Sequence, residues 1–266
     1  MDLLFLFRYF EKTFFRVLEE KNLISKAFTG RPPICHHKLI RGLIYMLIRG
    51  WTWRELPRKY GTRSTAHRYF QKWASAGVFL EIWSLFLRDI QNDSRFSCWI
   101  QMIDGSDKMT KNMSKKVATL GYKHKSKSAL KLSLVITDQG VPIALDICGA
   151  NSSDVKRLEA TLQVSALPAS KGLPEVLLAD KGYAGREASA ISAKQGKILI
   201  TPAKKNEHRQ NSLFGTVLYK KRNLIERIFE KLYNFKRVDV PLERYLKNYT
   251  GWCHMALGFL VLMANV

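Results

Sequence analysis

Over the first hundred positions apolar side chains recur every three to four residues, the spacing of one face of an α-helix. Phe10, Phe14, Phe15 and Leu18 mark a first helix, and Thr29-Gly30-Arg31-Pro32-Pro33 then breaks the chain. The period returns over 36–49, where Leu39, Leu43 and Leu47 join Ile40, Ile44 and Ile48 in one broad apolar face. Thr52, with Glu55 three residues on, reads as a capping box for a short helix over 53–59. Gly61 supplies a turn, and Thr62 or Ser64 caps a further helix that runs to about position 76 and stops at Gly77. In that helix Tyr69, Phe70 and Trp73 face the core, while Ser64, Thr65, His67, Arg68 and Lys72 lie on the polar side. Two short helices joined by a glycine-containing turn predict a helix-turn-helix in a helical domain over 1–97. Arg63 and Arg68 would then reach phosphates or guanine edges. An ordinary helical hairpin with a basic face has the same pattern.

At Cys98 the period changes. Residues 99–104 read as a strand ending in Asp104, and the lysine-rich segment 105–131, with glycine and serine interspersed, as a loop. Two strands follow, over 130–137 and 141–148, with Asp138-Gln139-Gly140 as the hairpin turn between them. A helix over about 154–164 packs Val155, Leu158 and Leu162. Residues 175–180 repeat the earlier theme, a buried strand ending in Asp180. A helix to Ala193, a strand over 197–202, a polar loop over 203–210 and a helix over 224–235 complete the order. Three strands joined early, then helices alternating with strands, predict an α/β domain with a mixed sheet over 98–266, the order of the ribonuclease-H-like fold.

Composition narrows the partners. Forty-four Lys and Arg against 22 Asp and Glu give a net charge of +22, on a chain that is 46% hydrophobic and so able to form a core. This balance points to a polyanion, with nucleic acid ahead of an anionic membrane surface. Cys35, Cys98, Cys148 and Cys253 lie too far apart for zinc-finger or redox spacing, and read as buried thiols in a reducing compartment. The apolar start is interrupted by Arg8 and lacks a basic leader, and the apolar run over 255–266 is too short to span a bilayer.

Asp104 and Asp180 each stand at the carboxyl end of a strand, where open α/β sheets bind ligands. On neighbouring strands two such carboxylates repel unless a cation or a proton lies between them, and oxygen-only ligands favour Mg²⁺ or Mn²⁺. Glu226 is the candidate third ligand. Tyr219, Arg222, Glu226 and Tyr233 share one helical stripe if the last helix begins early enough, although Arg222 and Glu226 alone could be an i, i+4 ion pair. Such a carboxylate set suits phosphoryl transfer with two ions. Lys204, Lys205 and the lysine-rich segment would then neutralise a phosphate backbone.

Four stretches, taken in order, resemble a known family. They are Trp51-Thr52-Trp53-Arg54-Glu55-Leu56-Pro57 followed by Tyr60-Gly61 and Tyr69-Phe70-Gln71-Lys72-Trp73; Ile103-Asp104-Gly105-Ser106; Leu178-Ala179-Asp180-Lys181-Gly182-Tyr183; and Tyr219-Lys220-Lys221-Arg222-Asn223-Leu224-Ile225-Glu226-Arg227. Together they are similar to the bacterial insertion-sequence transposases of the DDE class, in the insertion-sequence-five family, over roughly residues 10–262. The resemblance implies a ribonuclease-H-like core with Asp104, Asp180 and Glu226 as metal ligands. It implies cleavage at terminal inverted repeats with Mg²⁺ and joining of 3′-hydroxyl ends to target DNA. It also implies a dimer or larger complex on double-stranded DNA, Tyr219 and Arg222 positioning the element end, and a cytoplasmic, nucleoid-associated protein. The chain departs from the family pattern at Tyr233, where lysine is usual, at Ser153, where histidine is common, and at Gly105, where serine or threonine is common. A metal-dependent nuclease without strand transfer, or a DNA-binding protein without chemistry, remains open from the residues alone.

Overall fold

The computed structural model describes residues 3–24, 34–110, 121–123, 127–165, 175–202 and 220–264, which form two compact units. Among the described residues, one comprises the helices up to Phe86 together with the chain from Leu232 onward, and the other holds the sheet and the chain from Leu87 to Lys231. The packing therefore does not follow the division at 97/98 that hydrophobic periodicity suggested. The reason lies in the last helix, α9 (Leu246–Ala264), which is apolar on all sides and almost wholly buried, so it must be enclosed by other helices.

In the helical unit, α1 (Leu3–Glu20), α3 (Arg63–Ser75) and the greater part of α4 (Val78–Gln91) pack on α9, and α2 (His36–Arg49) packs on α1. The core is aromatic: Phe10 stacks on Phe259 at 3.9 Å, Phe70 on Trp252 at 4.3 Å, and Phe14 meets Trp73 and Phe79 edge-on. Such pairs add about 0.5–1.5 kcal/mol each beyond their burial. Gly251 lets one of these rings close in, since a Cβ there would lie 3.0 Å from Phe79. The helix expected over 53–59 is not formed. Only turns and a 3-10 turn at Arg58–Tyr60 appear, because Pro57 has no N–H to give and disfavours helical backbone at Leu56. Glu55 still makes half of the expected capping box, accepting from the Thr52 N–H at 2.6 Å. Thr62, not Ser64, caps α3, its hydroxyl accepting from the Thr65 N–H.

One buried ion pair ties this unit together. Arg237, in the short helix α8 (Lys236–Asp239), donates to Glu243, and both are almost fully buried. The indole N–H groups of Trp53 and Trp252 also donate to Glu243, at 3.2 and 3.0 Å. The carboxylate thus joins the 51–62 segment to the C-terminal helices. All four cysteines are free thiols; Cys148 and Cys253 are buried as expected, whereas Cys98 is half-buried and Cys35 exposed. Among the described residues no helix is long and apolar enough to cross a membrane.

The second unit is a six-stranded mixed sheet: β1 (Ile100–Met109), β2 (Gly121–Lys123), β3 (Lys127–Thr137), β4 (Pro142–Gly149), β5 (Glu175–Leu178) and β6 (Lys197–Ile200). The strands run β4–β3–β1–β5–β6, with β2 pairing the first residues of β3 on the same edge as β4. β1, β3 and β4 are antiparallel, and β5 and β6 run parallel to β1. This is the ribonuclease-H-like order expected from the sequence. Gly140 turns the β3–β4 hairpin with φ +80°, a conformation open to glycine at little cost. Helix α5 (Asp154–Gln163) packs on β3 and β4, fixed by a forked Arg157–Asp146 pair at 2.6–2.8 Å, and α6 (Arg186–Lys194) packs beside β6. Helix α7 (Asn223–Tyr233) closes the unit.

Two expectations change here. β1 does not end at Asp104 but continues to Met109, because β3 pairs with it as far as Met109↔Ala129. The lysine-rich segment read as a loop is therefore partly strand, over 105–109, 121–123 and from 127; residues 111–120 and 124–126 lie outside the described residues.

Removing the Glu243 carboxylate leaves a buried guanidinium without its countercharge. E243A is expected to cost about 3–5 kcal/mol in urea unfolding, and the apolar double variant R237M/E243M less; a smaller loss for E243A than for the double variant would contradict this account.

Candidate active site

The site starts from strand register. β1 and β5 pair in parallel as Ile100↔Val176, Gln101↔Leu177 and Met102↔Leu178. Two residues further along each chain stand Asp104 and Asp180, level with one another at the point where β5 has ended and β1 runs on. Each carboxylate accepts from the backbone just beyond it: Asp104 from the Gly105 N–H at 2.8 Å, Asp180 from the Lys181 N–H at 2.6 Å. Burial pushes the Asp104 carboxyl up from the usual range, and the negative charge of Asp180 pushes the same way.

Opposing both is Arg222, whose Nη2 lies 2.6 Å from Asp104 Oδ2, with both side chains mostly buried. Arg222 closes a 3-10 turn over Lys220–Arg222 that precedes α7, so it stands ahead of the regular helix rather than on its stripe. Glu226, in the first turn of α7, is exposed. Among the described residues no three Asp, Glu, His or Cys side chains are grouped closely enough to hold a metal ion. The structure thus brings Asp104, Asp180 and Arg222 together and leaves Glu226 on the helix that follows. The donor set at the two aspartates is oxygen only, which suits a hard divalent cation, while the guanidinium paired with Asp104 occupies one of those oxygens. Tyr219, Lys204 and Lys205 lie outside the described residues. Tyr233 is half-buried in the last turn of α7, and Ser153 caps α5, its hydroxyl accepting from the Lys156 N–H.

One neighbour was not singled out from the sequence. Asp154, the first residue of α5, pairs with Lys131 at 2.7 Å and faces the glycines that follow Asp104 and Asp180. In the sequence it looks like any acidic residue at a helix start; only the fold places it here.

The helical unit carries a second feature. A cleft of about 740 Å³ opens beside the N-terminus of α3, lined by Arg54, Arg58, Arg63 and Arg68 together with Thr62, Ser64 and His67. Arg63, Ser64, Arg68 and Lys72 are exposed, Thr65 and His67 half-buried, and Tyr69, Phe70 and Trp73 buried as the periodicity required. Arg54 and Arg58, expected within a helix of their own, instead flank Pro57 in a segment of turns and a 3-10 turn.

The charge state of Asp104 makes a testable prediction. A folded-state pKa above the unfolded one means the folded protein binds the extra proton, so stability falls as pH rises from the unfolded carboxylate range through the folded value. In EDTA, D104N is expected to raise the urea midpoint at neutral pH, with the gain shrinking as pH falls through the carboxylate range. A neutral-pH loss of stability would contradict the burial-dominated state.

With this geometry in hand, the chain can be set beside known proteins. A family model described as the transposase DDE domain matches residues 98–244, more than half of the chain, and one described as a putative transposase of the IS4/5 family matches residues 15–83. No curated protein matches the sequence. Among solved structures, the Mos1 transposase paired-end complex with left transposon end aligns at 11% identity over 84% of this chain and 86% of that chain, with a TM-score of 0.31. The catalytic domain of Mos1 mariner transposase aligns at 11% identity over 70% and 91%, also at 0.31. By the match over its sheet-bearing region, the chain belongs to the DDE transposase family of insertion sequences.

Proposed function

We propose that this protein binds the terminal inverted repeats of a mobile element, cuts the DNA by hydrolysis and joins the freed 3′-hydroxyl ends to target DNA. The observation that carries the reading is the level placement of Asp104 and Asp180 on adjacent parallel strands, with the chain entering α7 delivering Arg222 to the same point. Asp104, Asp180 and Glu226 are the proposed ligands of two Mg²⁺ or Mn²⁺ ions, which when bound supply Lewis acidity to the attacking and leaving oxygens. Glu226 enters on its motif and on its place one turn beyond Arg222. The chain's own part is to hold the scissile phosphodiester. Arg222, released from Asp104, would pair with a backbone phosphate, a bidentate partner better matched to a guanidinium than to an ammonium. Tyr219 would position the element end beside it, and Lys204 and Lys205 would neutralise flanking phosphates.

The basic cleft of the helical unit is the proposed site of end recognition. α3 presents Ser64, Thr65, His67 and Arg68 toward base edges, while Arg63, Lys72, Arg54 and Arg58 take phosphates. The protein is proposed to act as a dimer or larger assembly on double-stranded DNA, in the cytoplasm at the nucleoid. Its +22 charge supports the polyanionic partner and makes binding steeply dependent on salt.

The test is an assay with the element's own terminal repeats, Mg²⁺ and a plasmid target. D104A, D180A and E226A are each expected to reduce cleavage to the protein-free background while DNA binding stays within about twofold. Undiminished cleavage in any of the three removes that residue from the site, and cleavage without joined product leaves only the hydrolytic half. On the recognition side, R68A is expected to cost end-specific binding about 1–3 kcal/mol, whereas R58A weakens all sequences alike and lowers the salt slope by about one. Equal losses on specific and nonspecific DNA for R68A would reduce α3 to a phosphate-binding surface.

A further inference from the structure

We propose that Asp154 is a positioning residue of the two-aspartate site: its carboxylate, tethered by Lys131, is the spacer between the backbone beyond Asp104 and the backbone beyond Asp180. The inference rests on reading those two aspartates as the cation-binding pair.

Asp154 opens α5. Its Oδ1 accepts from Lys131 Nζ at 2.7 Å, and the same ammonium donates to the Ser152 carbonyl at 2.9 Å, so the end of β4's following turn and the start of α5 are both held to β3. The two oxygens of this single carboxylate face two different loops. A Cβ added to Gly105 would lie 3.4 Å from Oδ1, and one added to Gly182 would lie 3.5 Å from Oδ2. Gly105 directly follows Asp104, and Gly182 stands two residues after Asp180.

Those glycines matter because each aspartate is steered by the backbone just beyond it. Asp104 is oriented by the Gly105 N–H and Asp180 by the Lys181 N–H. Asp154 thus borders both of the backbone stretches whose N–H groups orient the two carboxylates. Strand alternation keeps Asp154 from being a ligand itself: Gly105 turns its open Cα toward Asp154, so the Asp104 side chain leaves the opposite face of β1. Asp154 therefore acts through the backbone.

The pair also manages charge. Lys131 is largely buried, and its stem runs along Gly105, where a Cβ would meet Cδ at 3.5 Å. Without Asp154 this largely buried ammonium would lose its countercharge beside the Gly105 backbone. Tyr183, fully buried next to the second aspartate loop, reports the same carboxylate: burial pushes its phenol up, and Asp154 is the first charge that adds to the effect.

The experiment is Mn²⁺ titration of the full-length, DNA-free protein, with free Mn²⁺ read by electron paramagnetic resonance. Removing a partner that orients metal ligands typically costs 10–100-fold in affinity, so D154A is expected to weaken binding about tenfold. D154N, which keeps the volume and an acceptor for Lys131, is expected to fall between D154A and the parent. S153A removes the cap from the same helix end without touching either loop, and its Mn²⁺ affinity is expected to stay within about twofold of the parent. An affinity for D154A within twofold of the parent overturns the proposal, as does an S153A loss equal to that of D154A. Should D154A fail to fold, by far-ultraviolet circular dichroism, D154N decides: parent-like affinity overturns. D104N separates the two levels. If D104N abolishes Mn²⁺ binding and D154A leaves it intact, the role of Asp154 alone falls; if D104N has no effect, the cation site falls and this inference with it.

Discussion

The parallel register of β1 on β5 sets Asp104 level with Asp180, and the sheet unit is organised around keeping two negative charges there. Neither can drift away, because each carboxylate is bonded to the N–H of the residue that follows it. Their repulsion is met by a cation brought from far along the chain, the guanidinium of Arg222. That requirement explains why α7 must start where it does: the 3-10 turn before it delivers Arg222 inward, and Glu226 then falls in its first turn. Two charges that would destabilise an isolated sheet become tolerable only with this helix docked.

The helical unit solves a different problem with a related device. Its core is built from large aromatic rings, and Glu243 accepts from Trp53, Trp252 and Arg237 at once. Burial alone would depress the Arg237 guanidinium, and the facing carboxylate works against that. One acidic residue thereby holds the non-helical 51–62 segment, and with it the arginines around the α3 cleft, against the C-terminal helices. The shape of the α3 cleft depends on a charge pair remote from it in sequence.

What could be read in advance, and what could not, divides along physical lines. Periodicity located α2 at 36–49 and α5 at its true start, since both depend on local apolar spacing and caps. The order of strands and helices was enough for the sheet topology. The 53–59 helix failed because a capping box is a local signal that Pro57, five residues after Thr52, overrides. β1 was read too short because a strand that continues through Gly, Ser, Asp and Lys has no hydrophobic pattern; the pairing with β3 sustains it. At the site, Asp104 and Asp180 were legible as strand-end carboxylates. The partnership of Arg222 with Asp104 was not, because it joins residues 118 positions apart and competes with an equally plausible local pair to Glu226. Asp154 was invisible for the same reason, its meaning set by two glycines distant in sequence.

The burial of α9 has a consequence for the order of events during synthesis. Helices α1 to α4 supply much of the helical core, yet α9, which packs against them, is complete only roughly 180 residues after Phe86. At about 5–20 residues per second, that is on the order of ten to thirty-five seconds in which Phe10, Phe70 and Trp83 lack Phe259, Trp252 and His254, the rings they meet in α9. The sheet unit, whose strands are all complete before α9 is made, can close first. A chain cut short before Leu246 would therefore be expected to keep the sheet while exposing an aromatic surface, so incomplete copies should be cleared by aggregation or proteolysis instead of persisting as folded DNA-binding fragments.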